Sequence, residues 1–406
     1  MPAEPEIDVA TADAQFIHDL ETYQPSGHID FRRMDENLQL WIRSNDDGIW
    51  RDMSSLLVDV VPKNREKKKK KGTKNRERET SLYFSALHNV VRCIMQQQTR
   101  TFDLAYYGEH GVTKENPLLG LGSGDSYLFL GAVSGDGEEE EDLFAALDRE
   151  VKWSVMTHKG GPVPRLVAIQ APTSRVQCVP LYRHPADEQP RTVEFSTTVA
   201  RCRDQVADLV GQPELNHVLI QKYRTGRDNI GEHSDKTLDV KRGSAVINLS
   251  VGATRVMKLK PKPGSGIAAQ QKITLPSNSV FVLGWETNRL FTHEIKADKR
   301  DEREKRPDER MYDGQRISLT FRSIATFITP DRVLLGQGAP RKPPKKHTPE
   351  EEEEERGRLL AAFGAENKSA AFDWDAEYGA GFDLVNFKVV GGEEEKKEED
   401  DCDSAK

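Results

Sequence analysis

Between residues 164 and 322 the sequence consists of short runs of β-branched or alternating apolar residues, separated by glycine, proline, asparagine and aspartate. The runs are RLVAIQAP, NHVLIQKY, SAVINLSV, TRVMKLK, QKITL, SVFVLG and QRISLTFR. Runs of this length between turn residues are typical of the strands of a sandwich or barrel. The sequence therefore predicts a mainly β protein with flanking helices, two of them over 141–153 and 196–210.

Charged residues make up 31% of the 406 residues, and they are concentrated outside these strands. The densest blocks are KNREKKKKKGTKNRER (63–78), EEEEEERGR (350–358) and EEEKKEEDD (393–401). Because charge blocks of this density repel themselves into solvated segments, we expect the folded part to be well short of the full chain.

Composition and apolar spacing divide the chain into five predicted segments. The central one is the β domain, and the segments on either side of it have no function that the sequence reveals. In order they are a partly helical segment (1–62), a basic linker (63–80), a helix and Gly-rich acidic loop leading into the core (81–140), the β domain (141–328), and a Pro-rich acidic tail (329–406), largely disordered, in which 359–387 could dock.

The sequence contains no run near the roughly 20 apolar residues that span a bilayer, and its amino terminus lacks the features of a signal peptide. We therefore expect an intracellular protein that does not bind a membrane. Its four cysteines should be reduced, and because their spacing is not that of a metal site we expect them to bind no zinc. The net charge of -8 argues against a uniformly basic nucleic-acid binder. The basic block 63–78 is open to three interpretations: a solvated linker, a nuclear localisation signal or a phosphate contact.

Two histidines and an aspartate stand near strand ends. His233 and Asp235 are two residues apart in GEHSDKTLD, a spacing that by itself occurs by chance. His293 follows the strand SVFVLG, in GWETNRLFTHEI. Two imidazoles and one carboxylate can form the facial triad of a non-haem Fe(II) oxygenase, which leaves open positions on the iron. The sequence thus contains a candidate iron site.

The strand QRISLTFR has polar and apolar residues in strict alternation. Because side chains alternate across a strand, Arg316 and Arg322 share one face with Ser318 and Thr320, opposite the three apolar residues. Each guanidinium offers a planar fork that matches a carboxylate. Two solvent-facing arginines would be the ordinary interpretation, but the triad raises the alternative of a dicarboxylate site.

In chain order, His233-x-Asp235, His293 and Arg316-x-Ser318-x-x-x-Arg322 resemble the AlkB-type 2-oxoglutarate- and Fe(II)-dependent dioxygenases. The stretches VLIQKYRTGRDNIGEHSD, INLSVGATRVMKLK and VPRLVAIQ are similar to the same family, and the resemblance covers about 141–327. It implies a double-stranded β-helix, or jelly roll, with the site at its mouth. It also implies that His233, Asp235 and His293 bind Fe(II).

The same resemblance implies a site for 2-oxoglutarate. Arg316 and Arg322 would bind its carboxylates, and Tyr223 would donate its hydroxyl. Gln221 and Ser318 stand where the family commonly has asparagine, and both can still form hydrogen bonds.

The activity implied is removal of N-alkyl groups from DNA or RNA bases, using Fe(II), 2-oxoglutarate and O2, as in DNA repair. For the location we expect the nucleus, or the nucleus and the cytoplasm. Two alternatives stay open: a dioxygenase of the same fold that acts on a protein or a small molecule, and a binding protein without turnover. The sequence does not indicate an oligomeric state.

For the substrate we name Arg165 and Tyr182, the latter as an aromatic that could stack on a flipped base. Lys236 and Thr237 occupy a stretch where base demethylases of the family often have an acidic residue. A lysine there would repel a cationic methylated base. Asp239 could replace the missing acid if the loop is displaced.

Overall fold

The computed structural model describes residues 99–134, 142–158, 161–173, 178–185, 190–267, 269–341 and 348–385. The predicted 1–62 segment, the basic linker 63–80 and the first part, 81–98, of the segment predicted to be a helix and Gly-rich loop lie outside the described residues. Within the described part of the chain, every helix is too short or too polar to cross a bilayer.

Strands dominate the described structure. They are β1 (Thr99–Phe102), β2 (Leu118–Leu121), β3 (Ser126–Leu130), β4 (Ser154–His158), β5 (Gly161–Gln170), β6 (Val179–Pro180), β7 (Thr192–Val193), β8 (His217–Tyr223), β9 (Ile230–His233), β10 (Val246–Gly252), β11 (Arg255–Pro261), β12 (Gln270–Leu275), β13 (Ser279–Leu283), β14 (Phe291–Ile295), β15 (Arg316–Arg322), β16 (Thr326–Ile328) and β17 (Leu334–Gly336).

The helices are short except for two. They are α1 (Leu104–Glu109), α2 (Leu143–Glu150), α3 (Thr197–Val210), α4 (Trp285–Leu290), α5 (Pro349–Lys368) and α6 (Trp374–Tyr378), with 3-10 turns at Glu302–Glu304 and Pro307–Gly314. Helices α2 and α3 correspond to the helices predicted over 141–153 and 196–210.

Two main sheets form the body of the domain. The larger follows the order β2-β3-β13-β10-β15-β8-β5-β4, with β7 beside β5, and the smaller follows β1-β12-β11-β14-β9. A small third sheet joins β17, β16 and β6. All neighbours within the two main sheets are antiparallel except β1 with β12 and β5 with β7. The mainly β, jelly-roll fold is therefore confirmed.

Strand β15 shows how the alternation in the sequence separates two cores. Ile317, Leu319 and Phe321 pack with apolar residues of α2 and α3 on one side of the larger sheet. The opposite face of that sheet meets the smaller sheet, where Phe281 of β13 packs with Phe291 of β14. The polar side chains of β15 thus lie on the side between the two sheets.

The main sheet starts earlier than the predicted boundary at residue 141. Strands β2 and β3 fall in the segment predicted as a helix followed by a Gly-rich loop, and β3 pairs with β13. Gly122 and Gly124 have positive φ and turn the chain between the two strands. The high glycine content therefore marks a hairpin that carries two strands of the sheet.

The acidic tail is described over residues 329–341 and 348–385. It was predicted to be largely disordered with a docking segment at 359–387, and the helix that begins in the glutamate block differs from the predicted disorder. Thr348 caps α5 in a reciprocal capping box with Glu351, and Pro349 occupies the first turn. Glutamates in that turn are favourable because the helix dipole is positive there. The glutamate block is thus a helix start.

The second half of α5 holds the tail on the domain. Leu359 and Phe363 are buried in a cluster with Leu238, which follows the candidate iron motif, and with Tyr378 of α6. Arg183 adds a buried connection, because it donates to the carbonyl oxygens of residues 338, 382 and 384. The tail therefore belongs to the same folded unit as the candidate site.

Candidate active site

The pairing of β9 with β14 brings the two predicted iron-binding histidines together. His233 and His293 are directly opposite each other in this antiparallel pair, with ring centroids 4.3 Å apart. Asp235 follows two residues after His233, and the potential ligand atoms of the three residues lie within 4.8 Å of one another. Among the described residues this is the one cluster that has three potential metal ligands.

Hydrogen bonds set the orientation of the triad. The Nδ1 atom of His233 lies 2.8 Å from the carbonyl oxygen of Gly231, and since a carbonyl only accepts, Nδ1 carries the hydrogen. Its Nε2 is thereby left with a lone pair for a metal. Asn288 holds the backbone of Asp235 from both sides, accepting from its N–H at 2.9 Å and donating to its oxygen at 2.9 Å.

The charges of the triad suit a divalent cation. Burial is the largest single influence and would raise the pKa of Asp235. The charge and hydrogen bond of Arg322, with Nη2 2.8 Å from Oδ1, and the two neighbouring histidines together hold that pKa well below its usual range. Burial lowers the pKa of both histidines, that of His293 to about 3. At neutral pH the site therefore presents two neutral imidazoles and one carboxylate, a donor set that fits Fe(II).

Arg316 is a buried cation that the protein satisfies only in part. Its Nη2 donates to Ser250 Oγ at 2.7 Å and Asn248 Oδ1 at 3.2 Å, while Nε and Nη1 have no partner within the described structure. Burial lowers the pKa of Arg316 to about 10. Unpaired buried donors of a charged group are costly, so this guanidinium fits an anionic ligand such as a carboxylate of 2-oxoglutarate.

The other predicted 2-oxoglutarate residues lie around Arg316. Tyr223 is opposite Arg316 in the β8–β15 register, and Gln221 is opposite Ser318. The Tyr223 hydroxyl donates to Gln221 Oε1 at 3.1 Å. Asn248 Nδ2 donates to Ser318 Oγ at 2.7 Å. These residues form one polar wall.

Arg322 has a partner that the sequence did not predict. It forms a buried ion pair with Asp235, and its guanidinium lies over the Tyr182 ring, 4.2 Å from the centroid. Its charge is thus balanced within the protein, whereas no carboxylate among the described residues pairs with Arg316. The resemblance assigned both arginines to the cosubstrate, and the structure pairs only Arg322 with a protein carboxylate.

A cavity of about 390 Å³ opens at the triad, a volume on the scale of small-molecule sites. Asn248 and Tyr223 line this cavity, and both contact Arg316, which does not itself reach the cavity surface. The cavity wall includes the three triad residues, Gln221, Tyr223, Asn248, Ser318, Thr320, Arg322, Arg165, Tyr182, Lys236 and Asn367.

Three of the four residues predicted to contact the substrate line the cavity, namely Arg165, Tyr182 and Lys236. Arg165 lines the cavity, donates to the carbonyl oxygen of Asn229 at 3.0 Å and has an Nε without a partner in the described structure. Tyr182 donates to Asp235 Oδ1 at 3.3 Å, and Arg322 covers a face of its ring. Tyr182 therefore supports the triad while it also lines the cavity, and its stacking on a base stays a prediction.

The two residues after Asp235 contact the C-terminal helix. Lys236 Nζ donates to Asn367 Oδ1, and the backbone N–H of Thr237 donates to Glu366 Oε1 at 3.0 Å. Lys236 lines the cavity, but Thr237 does not. The expected role of Thr237 at the substrate is therefore replaced by a contact with the tail.

Asp239 cannot take the place of an acid at the cavity. Its carboxylate forms a fully buried ion pair with Arg183, at 2.6 Å, and accepts the backbone N–H of Arg183 at 2.7 Å. The idea that a displaced loop would bring Asp239 to the substrate is therefore wrong.

Sequence reasoning missed three kinds of residue here: Asn288, the pair Asn248 and Ser250, and the tail residues Glu366 and Asn367. Of these, only Asn248 and Ser250 could have been found from sequence. They alternate with apolar residues in VINLSV and therefore share one face of a strand. The others reach the site through contacts that span 53 to 133 residues.

Comparison with known proteins agrees with this geometry. The sequence model of one protein family, the 2OG-Fe(II) oxygenase superfamily, matches residues 126–322, a range that contains the triad and both arginines. The chain is 25% identical over 272 residues to bovine DNA oxidative demethylase ALKBH2, covering 60% of this chain and 90% of that protein.

Two further relatives match over shorter stretches. Human DNA oxidative demethylase ALKBH2 is 30% identical over 129 residues, which is 30% of this chain and 45% of that protein. Bovine alpha-ketoglutarate-dependent dioxygenase alkB homolog 3 is 25% identical over 203 residues, which is 47% of this chain and 63% of that protein. The chain thus covers less than two thirds of either.

Proposed function

Residues 126–322 form an AlkB-like 2-oxoglutarate- and Fe(II)-dependent dioxygenase domain, and on this basis we propose that the protein oxidatively removes alkyl groups from the bases of DNA or RNA. Two of the relatives are named as DNA oxidative demethylases, and the similarity to the bovine one extends over 90% of its length.

The observation that carries the proposal is the position of the triad on the wall of a cavity large enough to be a ligand site. A base inside a duplex cannot reach such a recessed site unless it leaves the stack. We therefore propose single-stranded nucleic acid, or a flipped base, as the form that enters.

His233, Asp235 and His293 would hold Fe(II), and Arg316 would bind a carboxylate of 2-oxoglutarate. When bound, Fe(II) with 2-oxoglutarate and O2 supplies the oxidising power that hydroxylates an N-alkyl carbon; the cosubstrate leaves as succinate and CO2, and the hydroxylated carbon as an aldehyde. The protein's own contribution is to keep Asp235 ionised beside Arg322, to hold its backbone with Asn288, and to shield the reacting carbon from water.

A panel of oligonucleotides tests the proposed function. The full-length protein, with Fe(II) and 2-oxoglutarate, is incubated with N-methylated single- and double-stranded DNA and RNA, and with unmethylated copies as controls. We expect mass spectrometry to show that at least one methylated oligonucleotide loses its methyl group, and the amount lost should match the amount of succinate formed. Turnover of 2-oxoglutarate without change in any oligonucleotide would contradict a nucleic-acid substrate and favour a protein or small molecule.

We further propose that the protein acts in nucleic-acid repair in the nucleus and that the basic block 63–78 directs it there. Neutralising the lysines and arginines of this block to glutamine, at constant length, should lower the nuclear fraction of a fluorescent fusion. Succinate formation with a free methylated nucleoside should stay unchanged, because the block is outside the catalytic domain. An unchanged distribution in the cell would contradict this role, and loss of succinate would contradict the assignment of the block as a linker.

A further inference from the structure

Asn367, in the last turn of α5, reaches the cavity from the C-terminal tail. Its Oδ1 accepts three hydrogen bonds from the segment that carries the triad carboxylate. Two come from Ser234, from the backbone N–H at 2.9 Å and from Oγ at 3.0 Å, and the third comes from Lys236 Nζ. The tail thus supplies a side chain directly beside the triad.

These three contacts determine which way the amide faces. A backbone N–H and a lysine ammonium can only donate, so the amide atom that they contact must be the oxygen. The Nδ2 group is then the free end, and within the described residues it has no hydrogen-bond partner. Asn367 is partly exposed and lines the cavity, so its two N–H donors are available to a ligand there.

The remaining charged groups of the cavity wall reinforce this pattern of donors. Lys236 and Arg165 line the cavity, and neither forms an ion pair with a carboxylate in the described structure. The two carboxylates of the wall are already paired: Asp235 with Arg322 at 2.8 Å, and Glu232 with Lys260 at 3.1 Å. The wall therefore offers hydrogen-bond donors and positive charge, while both of its carboxylates are paired within the protein.

We propose that Asn367 contacts the substrate and selects an uncharged N-alkylated base that presents a carbonyl oxygen over a cationic base that presents an amino group. The proposal rests on the proposed function and names the class of base. An uncharged carbonyl-bearing base accepts hydrogen bonds from the Asn367 amide, whereas a cationic amino-bearing base would oppose donor to donor and leave both groups unpaired. Such a mismatch costs about 1–3 kcal/mol, or roughly 10-fold to 100-fold in selectivity.

Two oligonucleotides that differ in one base test the proposal. One carries 3-methylthymine, which is neutral and has two carbonyls; the other carries 3-methylcytosine, which is cationic and has an amino group. For the full-length wild-type protein we expect kcat/KM to be at least about 10-fold higher with 3-methylthymine.

The variant Asn367→Asp separates recognition from structure. Its carboxylate still accepts from Ser234 and Lys236, but it loses the two donors and adds a negative charge. The ratio of kcat/KM values should shift toward 3-methylcytosine by about 10-fold or more. Lys368→Gln is the matched control, since it changes the net charge by the same amount on an exposed neighbouring residue and should leave the ratio unchanged.

Each result decides the proposal. A wild-type protein that prefers 3-methylcytosine, or makes no distinction, overturns it, and this comparison stands even if the Asn367→Asp protein fails to fold. A folded Asn367→Asp protein that slows both reactions equally also overturns it, because Asn367 would then act only through the triad segment. If neither of these oligonucleotides loses its methyl group, this inference fails. The proposed function fails as well only if no methylated oligonucleotide of the panel described above is changed while 2-oxoglutarate is consumed.

Discussion

Replacing His293 by alanine should reduce succinate formation from 2-oxoglutarate by at least about 100-fold, because changes that only orient a metal ligand already cost 10-fold to 100-fold. His293 lies opposite His233, and within the described residues no further histidine, cysteine or carboxylate joins the cluster to replace it. The measurement is succinate formed by full-length protein supplied with Fe(II), 2-oxoglutarate and O2.

His110→Ala is the matched control for this prediction. His110 is exposed and stacks on Tyr106 at the end of α1. Surface substitutions usually change stability by no more than about 0.5 kcal/mol, so His110→Ala should leave succinate formation within about twofold of the wild type. If His293→Ala kept most of the wild-type rate, the three residues would not be the iron site.

Replacing Arg316 by methionine should raise the KM for 2-oxoglutarate by at least about 100-fold, since hydrogen bonds to a charged group contribute about 1.5–3 kcal/mol each and two donors of Arg316 are unpaired. The stability of the free protein should be unchanged or higher, because methionine removes a buried charge that the protein does not pair. Steady-state kinetics and chemical denaturation measure the two effects.

Arg322→Met is the contrasting variant. It leaves the buried carboxylate of Asp235 without its ion pair, so the free energy of unfolding should fall by about 3–5 kcal/mol. Loss of stability in Arg316→Met, with KM unchanged, would show that Arg316 is structural and does not bind the cosubstrate.

The sequence identified the strands and the pair of His233 and Asp235 because these signals are local, whereas His293 was added from a separate stretch, because two histidines and one carboxylate can form an iron triad. His233 and Asp235 are two residues apart, and the alternation of β15 places Arg316 on the correct face without knowledge of its neighbours. The partner of Arg322 was not predictable in this way, because its ion pair with Asp235 depends on how the two sheets come together.

The tail shows the opposite case. A block of glutamates has the composition of a disordered segment, yet the same residues after Thr348 and Pro349 form the first turn of a helix. What decides between the two outcomes is the apolar stripe around Leu359 and Phe363, together with its contact with Leu238, a residue more than a hundred positions away. For this reason Glu366 and Asn367 could not be placed at the site from sequence.

Calorimetric titration of 2-oxoglutarate into the full-length protein tests the central claim, that the triad and Arg316 form one metal and cosubstrate site. Mn(II) replaces Fe(II) in this measurement, because it is also a divalent first-row metal and avoids turnover of 2-oxoglutarate during the titration. We expect one binding site in the presence of Mn(II), much weaker binding without the metal, and no metal-dependent gain in His293→Ala. Equal affinity of the wild type and His293→Ala, with and without Mn(II), would contradict the claim.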